Sequence, residues 1–147
     1  TTFLNGKNVE DEIRTMRVSD VVSFVSVIKE VREKLQSIQQ KYGELGGVVM
    51  DGRDIGTAVF PNAELKIFMT ASPEVRAQRR FDELKANGKS VSFEEVKANL
   101  VSRDKEDTSR KENPLIQAED AIALDNSELS TEEQLELALG WVAEKVA

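Results

Sequence analysis

Residues 48–61, VVMDGRDIGTAVFP, run an apolar segment directly into Asp51, Gly52, Arg53, Asp54 and Gly56. An arginine can grip a phosphate through two parallel hydrogen bonds, and an adjacent aspartate can accept from an amine or a hydroxyl. Glycines on either side let the backbone turn sharply and leave room beside it. A structural Arg-Asp ion pair in a turn is the plainer alternative, and spacing alone leaves both open.

A second set lies on one helical stripe. Phe93, Val96 and Leu100 are followed on the same face by Arg103, Asp107 and Arg110. A helix that only covers a core keeps that face apolar, so the change predicts that the last turns line a wet cleft. A solvated ladder of ion pairs has the same periodicity.

Arg76, Arg79 and Arg80 fall on one face near a helix start, where they repel one another and oppose the positive end of the dipole. A polyphosphate would relieve that arrangement, as would acidic neighbours such as Glu74 and Asp82. Ser23 and Arg32 add a hydroxyl and a fork of donors, each a weak signal by itself.

The chain has no cysteine and no histidine. Disulfides, thiolate or imidazole metal sites and histidine bases are therefore excluded, and chemistry falls to carboxylates, arginines, lysines, hydroxyls and backbone. With 27 acidic against 20 basic residues the net charge is −7, which disfavours nucleic acid and anionic membranes. A small anionic ligand needs only a few arginines in one cleft. No run approaches the roughly 18 apolar residues of a membrane span, and the start lacks the order of a signal peptide, which predicts a cytoplasmic location.

The elements that must position these groups follow from periodicity and punctuation. At 147 residues one domain is expected. Residues 1–4 and Asn5-Gly6 predict a short strand and a tight turn. Val18, Val21, Val22 and Val25, then Val31, Leu35, Ile38 and Tyr42, predict two amphipathic helices, with Gly43 as the stop. Strands buried on both faces are expected at 48–50 and 65–71, and a third strand at 121–124.

Ser72-Pro73 opens a helix to about residue 87, with Gly88 beyond it. Capping boxes at Ser92–Glu95 and Ser130–Glu133 open two more. In the last, Leu135, Ala138, Leu139, Val142 and Val146 form one apolar face, flanked by Leu137 and Trp141. Strands alternating with helices imply an α/β fold with a parallel sheet covered on both sides.

Taken in order, IRTMRVSDVVSFVS, VRE, GGVVMDGRDIGTAVFPNAELKIFMTAS, RAQRR and SRDKEDTSRKENPL resemble the bacterial cytidylate kinases, which phosphorylate CMP and dCMP from ATP with Mg. The resemblance covers essentially the whole chain. It implies a P-loop NTPase-type parallel sheet with flanking helices, the nucleoside monophosphate kinase fold, with a five-stranded core. It assigns residues 1–28 to a remnant of the monophosphate-binding insert, 29–147 to the core, and about 76–112 to a mobile lid.

By the same resemblance Ser23, Arg32 and Asp54 recognise the cytosine end, Arg103 and Asp107 the pentose, and Arg53 and Arg110 the acceptor phosphate. Arg76 and Arg80, together with Arg79, are expected as lid arginines near the ATP phosphates, and Arg53, Arg80 and Arg110 are the expected catalytic groups. The partners implied are small nucleotides only, and the complete enzyme is expected to be a monomer.

The family begins with a glycine-rich loop that wraps the ATP phosphates, and this sequence has no G-x-x-x-x-G-K element. The chain therefore reads as the C-terminal majority of such a kinase, incomplete at the N-terminus and inactive alone, with no metal ligand of its own. A non-catalytic CMP-binding module and a structural α/β fragment are the alternatives.

Overall fold

A computed structural model describes the backbone of residues 1–146 and all their side chains except those of Met16, Ser19, Asp20, Ser23 and Val146. The chain opens with a hairpin of β1 (Phe3–Leu4) and β2 (Lys7–Asn8), paired antiparallel. Asn5 and Gly6 have φ of 51° and 80°, the two positive values that a tight primed turn requires. A 3₁₀ turn at Glu12–Arg14 leads into α1 (Met16–Ser26) and α2 (Lys29–Gly43).

A single π-helical turn, Ile55–Val59, precedes β3 (Ile67–Thr70). The helices α3 (Pro73–Ala86) and α4 (Phe93–Ser109) then carry the chain to β4 (Ile122–Asp125) and α5 (Thr131–Val146). β3 and β4 pair in parallel, Ile67 opposite Ile122 through Thr70 opposite Asp125. Main-chain bonds from Ile122 to Lys66 and from Asn126 to Thr70 extend the ladder at both ends. The architecture is mixed α/β, with a small parallel sheet and five α-helices among the described residues.

The helix starts follow their local signals. The Ser72 hydroxyl accepts from the Val75 amide, and Ser92 and Glu95 form a reciprocal capping box. Ser130 and Glu133 repeat that exchange ahead of α5, through Glu133 N to Ser130 Oγ and Ser130 N to Glu133 Oε2. α3 and α4 pack through a T-shaped Phe81–Phe93 pair with centroids 6.0 Å apart, over the buried Ala77, Leu84 and Val96. An aromatic pair of this kind adds about 0.5–1.5 kcal/mol beyond its buried area. Two ion pairs, Arg76–Asp104 and Lys97–Glu74, close the same interface.

Two expectations are corrected, and the apolar face of α5 is found exposed. Residues 48–50 form no strand, and Val49 is fully exposed. An extended segment keeps strand geometry only when a neighbour takes up its N–H and C=O groups, and no described strand lies beside it. β3 is not buried on both faces, since Met69 is 56% exposed. Leu135, Leu139 and Val142 of α5 are exposed as well. A two-stranded sheet is only about 5 Å wide between its strand axes, too narrow to cover a four-turn helix. The expected fifth member of that face, Val146, has its side chain outside the described residues.

Candidate nucleotide site

One cluster of charged side chains is assembled from three places in the chain. α2 contributes Arg32, the loop before the π-helical turn contributes Arg53 and Asp54, and the end of α4 contributes Asp107 and Arg110. Arg32 Nη2 donates to Asp54 Oδ2, while Arg32 Nη1 donates to the Ser26 carbonyl at 3.1 Å. Arg53 Nε donates to Asp107 Oδ2 at 2.8 Å. Arg110 Nη1 reaches the other oxygen, Asp107 Oδ1, at 3.1 Å, and Arg110 Nη2 stands 3.9 Å from Asp54 Oδ2. Arg32, Asp54, Arg110, Asp107 and Arg53 thus form one chain of alternating charge, three positive groups against two negative.

Burial makes this excess of one positive charge consequential. The Arg110 side chain is 8% exposed, Arg32 13%, Asp107 15% and Asp54 19%, whereas Arg53 is half-exposed at the rim. Burial, and then repulsion from Arg32 and Arg53, pulls Arg110 below the ordinary arginine range against the opposing attraction of Asp107 and Asp54. Two buried donors here, Arg32 Nε and Arg110 Nη2, have no hydrogen-bond partner among the described residues. A buried N–H of a charged group left unmatched costs more than about 1–3 kcal/mol, so the site is short of an acceptor.

The loop holding Arg53 and Asp54 is fixed from several sides. The Asp54 carbonyl accepts from Ala58 N at 2.8 Å and Val59 N at 3.2 Å, which winds the π-helical turn. From α2, Gln36 donates to the Ala58 carbonyl at 2.7 Å and Gln40 to the Val59 carbonyl at 3.3 Å. A Cβ on Gly52 would lie 2.9 Å from the Ile55 side chain, so this glycine serves close approach rather than a left-handed turn.

The structure brings together Arg32, Arg53, Asp54, Asp107 and Arg110. Arg53 and Asp54 are not partners of each other, so the simple ion pair within a turn is replaced by two pairings to distant helices. Arg103, one turn before Asp107 on α4, makes none of these pairings and lines with Arg80 a recess of about 60 Å³ between α3 and α4.

The three arginines of α3 go to separate partners. Arg76 takes Asp104 through two bonds of 3.0 and 2.5 Å, Arg79 takes the Asn126 side chain and carbonyl, and Arg80 takes Glu83. Glu74 and Asp82, the neighbours suggested by charge spacing, pair instead with Lys97 and Gln78. The side chain of Ser23 lies outside the described residues.

Sequence reasoning missed Gln36, Gln40 and Asn113. The glutamines were legible in principle, since Arg32, Gln36 and Gln40 recur every four residues on one face of α2. Asn113, whose carbonyl accepts from Arg110 Nε at 2.7 Å, carried only the weak signal of an asparagine before a proline.

A family model described as cytidylate kinase matches residues 1–144. A cytidylate kinase of Flavobacterium johnsoniae is 58% identical over 144 residues, covering 98% of this chain and 63% of that protein. Those of Bacteroides thetaiotaomicron and Porphyromonas gingivalis are 57% and 51% identical, each covering 98% of this chain and 61% of theirs. The chain thus spans about three fifths of the length of the curated relatives it matches. With a family match running from the first residue to residue 144, the chain belongs to the cytidylate kinase family.

Proposed function

We propose that this chain supplies the acceptor side of a cytidylate kinase, binding CMP or dCMP so that ATP can phosphorylate it to CDP or dCDP. The observation that carries the reading is the buried, net-positive chain of arginines and aspartates with two unmatched donors, Arg32 Nε and Arg110 Nη2. An anion with several oxygens fits that deficit. Phosphate would compete with Asp107 for Arg53 and Arg110 and offer Arg110 Nη2 the acceptor it lacks.

Asp54 has one oxygen engaged by Arg32 and, as a carboxylate, keeps acceptor capacity for the exocyclic amine of cytosine. Ser23 and Arg32 are proposed to complete base recognition, and Arg103 and Asp107 to meet the pentose. Phosphoryl transfer requires positioning and charge neutralisation more than a covalent group, so a site built of arginines and carboxylates is chemically adequate.

ATP is the donor that the kinase family implies. Arg76 and Arg80 are proposed to face its phosphates from a lid spanning about 76–112. Arg76 fits the role in having a buried Nε with no partner among the described residues. Mg, held mainly by the nucleotide phosphates, would neutralise their charge during transfer. The roles proposed for this chain are acceptor-side and lid-side.

The same reading places residues 1–28 in the monophosphate-binding insert and 29–147 in a core of P-loop NTPase type, whose parallel sheet is larger than the two strands described. It also makes the complete enzyme a cytoplasmic monomer with nucleotides as its partners and no nucleic acid. No helix among the described residues is long and apolar enough to cross a membrane.

Calorimetric titration of this chain with CMP, UMP and AMP tests the proposal, together with a coupled ATP-dependent assay. Preference for CMP without turnover is the expected result. Equal affinity for AMP would remove the substrate assignment, and ATP-dependent turnover would remove the restriction to acceptor-side binding.

A further inference from the structure

We infer that Asn113 is a positioning residue for Arg110, its left-handed backbone aiming the carbonyl that orients the guanidinium. The inference rests on the acceptor-site reading above for its functional consequence, but its structural content stands apart from it. Among the described non-glycine residues, positive φ occurs at Asn5 and at Asn113, where it is 50°. Asn5 is explained by the hairpin turn. Asn113 lies in no hairpin, and it precedes Pro114, whose ring steers the residue before it toward extended backbone. A disfavoured conformation at such a place persists only when its surroundings hold it there, and outliers of this kind gather at ligand sites.

The surroundings are identifiable. Arg110 leaves α4 in an extended conformation, with φ −63° and ψ 145°. Three residues later the turn at Asn113 brings its carbonyl to 2.7 Å from Arg110 Nε, and Leu115 N returns to the Asp107 carbonyl at 2.8 Å. The Asn113 side-chain Nδ2 also lies 3.5 Å from Gln36 Oε1, and Gln36 in turn holds the Ala58 carbonyl behind Asp54.

A guanidinium is a rigid planar fork, so fixing Nε at Asn113 O and Nη1 at Asp107 determines where Nη2 points. That atom is the unmatched donor 3.9 Å from Asp54. The bend at Asn113 therefore selects which nitrogen of Arg110 is presented to an incoming anion.

The test uses Asn113→Gly, which keeps left-handed backbone accessible, against Asn113→Ala and Asn113→Val, which resist it increasingly. The first readout is hydrogen exchange of the Arg110 Nε–H by NMR, assigned through its loss in Arg110→Lys. Slow exchange is expected in the unmodified chain and in Asn113→Gly, and exchange faster by about tenfold in Asn113→Ala, more in Asn113→Val. CMP affinity should weaken by about the same factor in Asn113→Ala and stay near the original in Asn113→Gly. If Asn113→Val does not fold, Asn113→Ala carries the comparison.

Unchanged Nε–H exchange in Asn113→Ala would overturn the inference. Equal damage in Asn113→Gly would also overturn it, because the side chain and not the backbone would then be responsible. If the exchange pattern holds while no form of the chain binds CMP, the positioning of Arg110 stands and the acceptor-site reading fails.

Discussion

Arg53 and Asp54 are neighbours in sequence and partners of different helices: Arg53 donates to Asp107 on α4 at 2.8 Å, while Asp54 accepts from Arg32 on α2. The loop between them is therefore a clasp joining two helices that are far apart in the chain. Each bond also occupies a group proposed to meet the nucleotide, so ligand binding and helix clasping compete for the same side chains.

Asp54→Asn should weaken the Arg32 pairing and the reading of cytosine together. Removing one partner of a largely buried pair costs on the order of 2–3 kcal/mol when water partly relieves it. The expected result is a lower thermal midpoint and a smaller ratio of CMP to UMP affinity by calorimetry, and Arg32→Ala should behave likewise. An unchanged ratio in both variants would refute the base-reading role.

Arg53→Ala and Arg110→Ala should separate exposure from function. Arg53 is half-exposed, so its loss should cost less than about 1 kcal/mol of stability. Loss of Arg110 leaves Asp107 with one partner fewer in a buried setting and should cost more. Both variants should lose most of the preference for CMP over cytidine, which differ only in the phosphate. Parallel titrations with the two ligands check this, and a preference kept in either variant would remove that arginine from the phosphate site.

Gly43→Ala should destabilise the chain although alanine is the better helix former. A Cβ at this last residue of α2 would stand 2.2 Å from Phe60 Cε1, so the ring must move. Displacing a packed ring costs about 1–3 kcal/mol, which exceeds or cancels the roughly 1 kcal/mol gained in helix propensity. A rise in the thermal midpoint would show that Phe60 has room to swing away.

Hairpin anchoring should persist to unusually low pH. The Arg14 guanidinium, followed by the Thr2 amide, holds the Glu10 carboxyl at about 2, below its ordinary value of 4.5. A carboxyl with a depressed folded value contributes stability that is fully present above 4.5 and is lost as pH falls toward about 2. The Glu10 carboxyl resonance should thus titrate near pH 2, and the hairpin amides should shift in the same window. In Glu10→Gln the shift should vanish, and a midpoint near 4.5 in the unmodified chain would contradict the anchoring.

Much of the secondary structure was legible because its causes are local. The Asn5-Gly6 turn, the Ser72, Ser92 and Ser130 caps and the Gly88 stop each involve groups within four residues of one another, and each formed where its pattern lay. The identities of Arg32, Arg53, Asp54, Asp107 and Arg110 were legible too, since charged groups at the ends of apolar runs stand out. Neither the missing strand at 48–50 nor the exposed face of α5 could be read the same way, because apolar character states what could be buried and not whether a neighbour is there to bury it.

By itself the sequence determined the alphabet of the site: arginines and carboxylates without histidine or cysteine, set on a loop and two helices whose ends it marked. The tertiary structure alone decided the pairing. Arg53 meets a residue 54 positions away and Asp54 one 22 positions away, while Arg110 is turned by a carbonyl three residues beyond it. The physical reason is range. Capping and turn energies depend on adjacent dihedrals, but an ion pair depends on distance and burial, and both are defined only once the helices have docked.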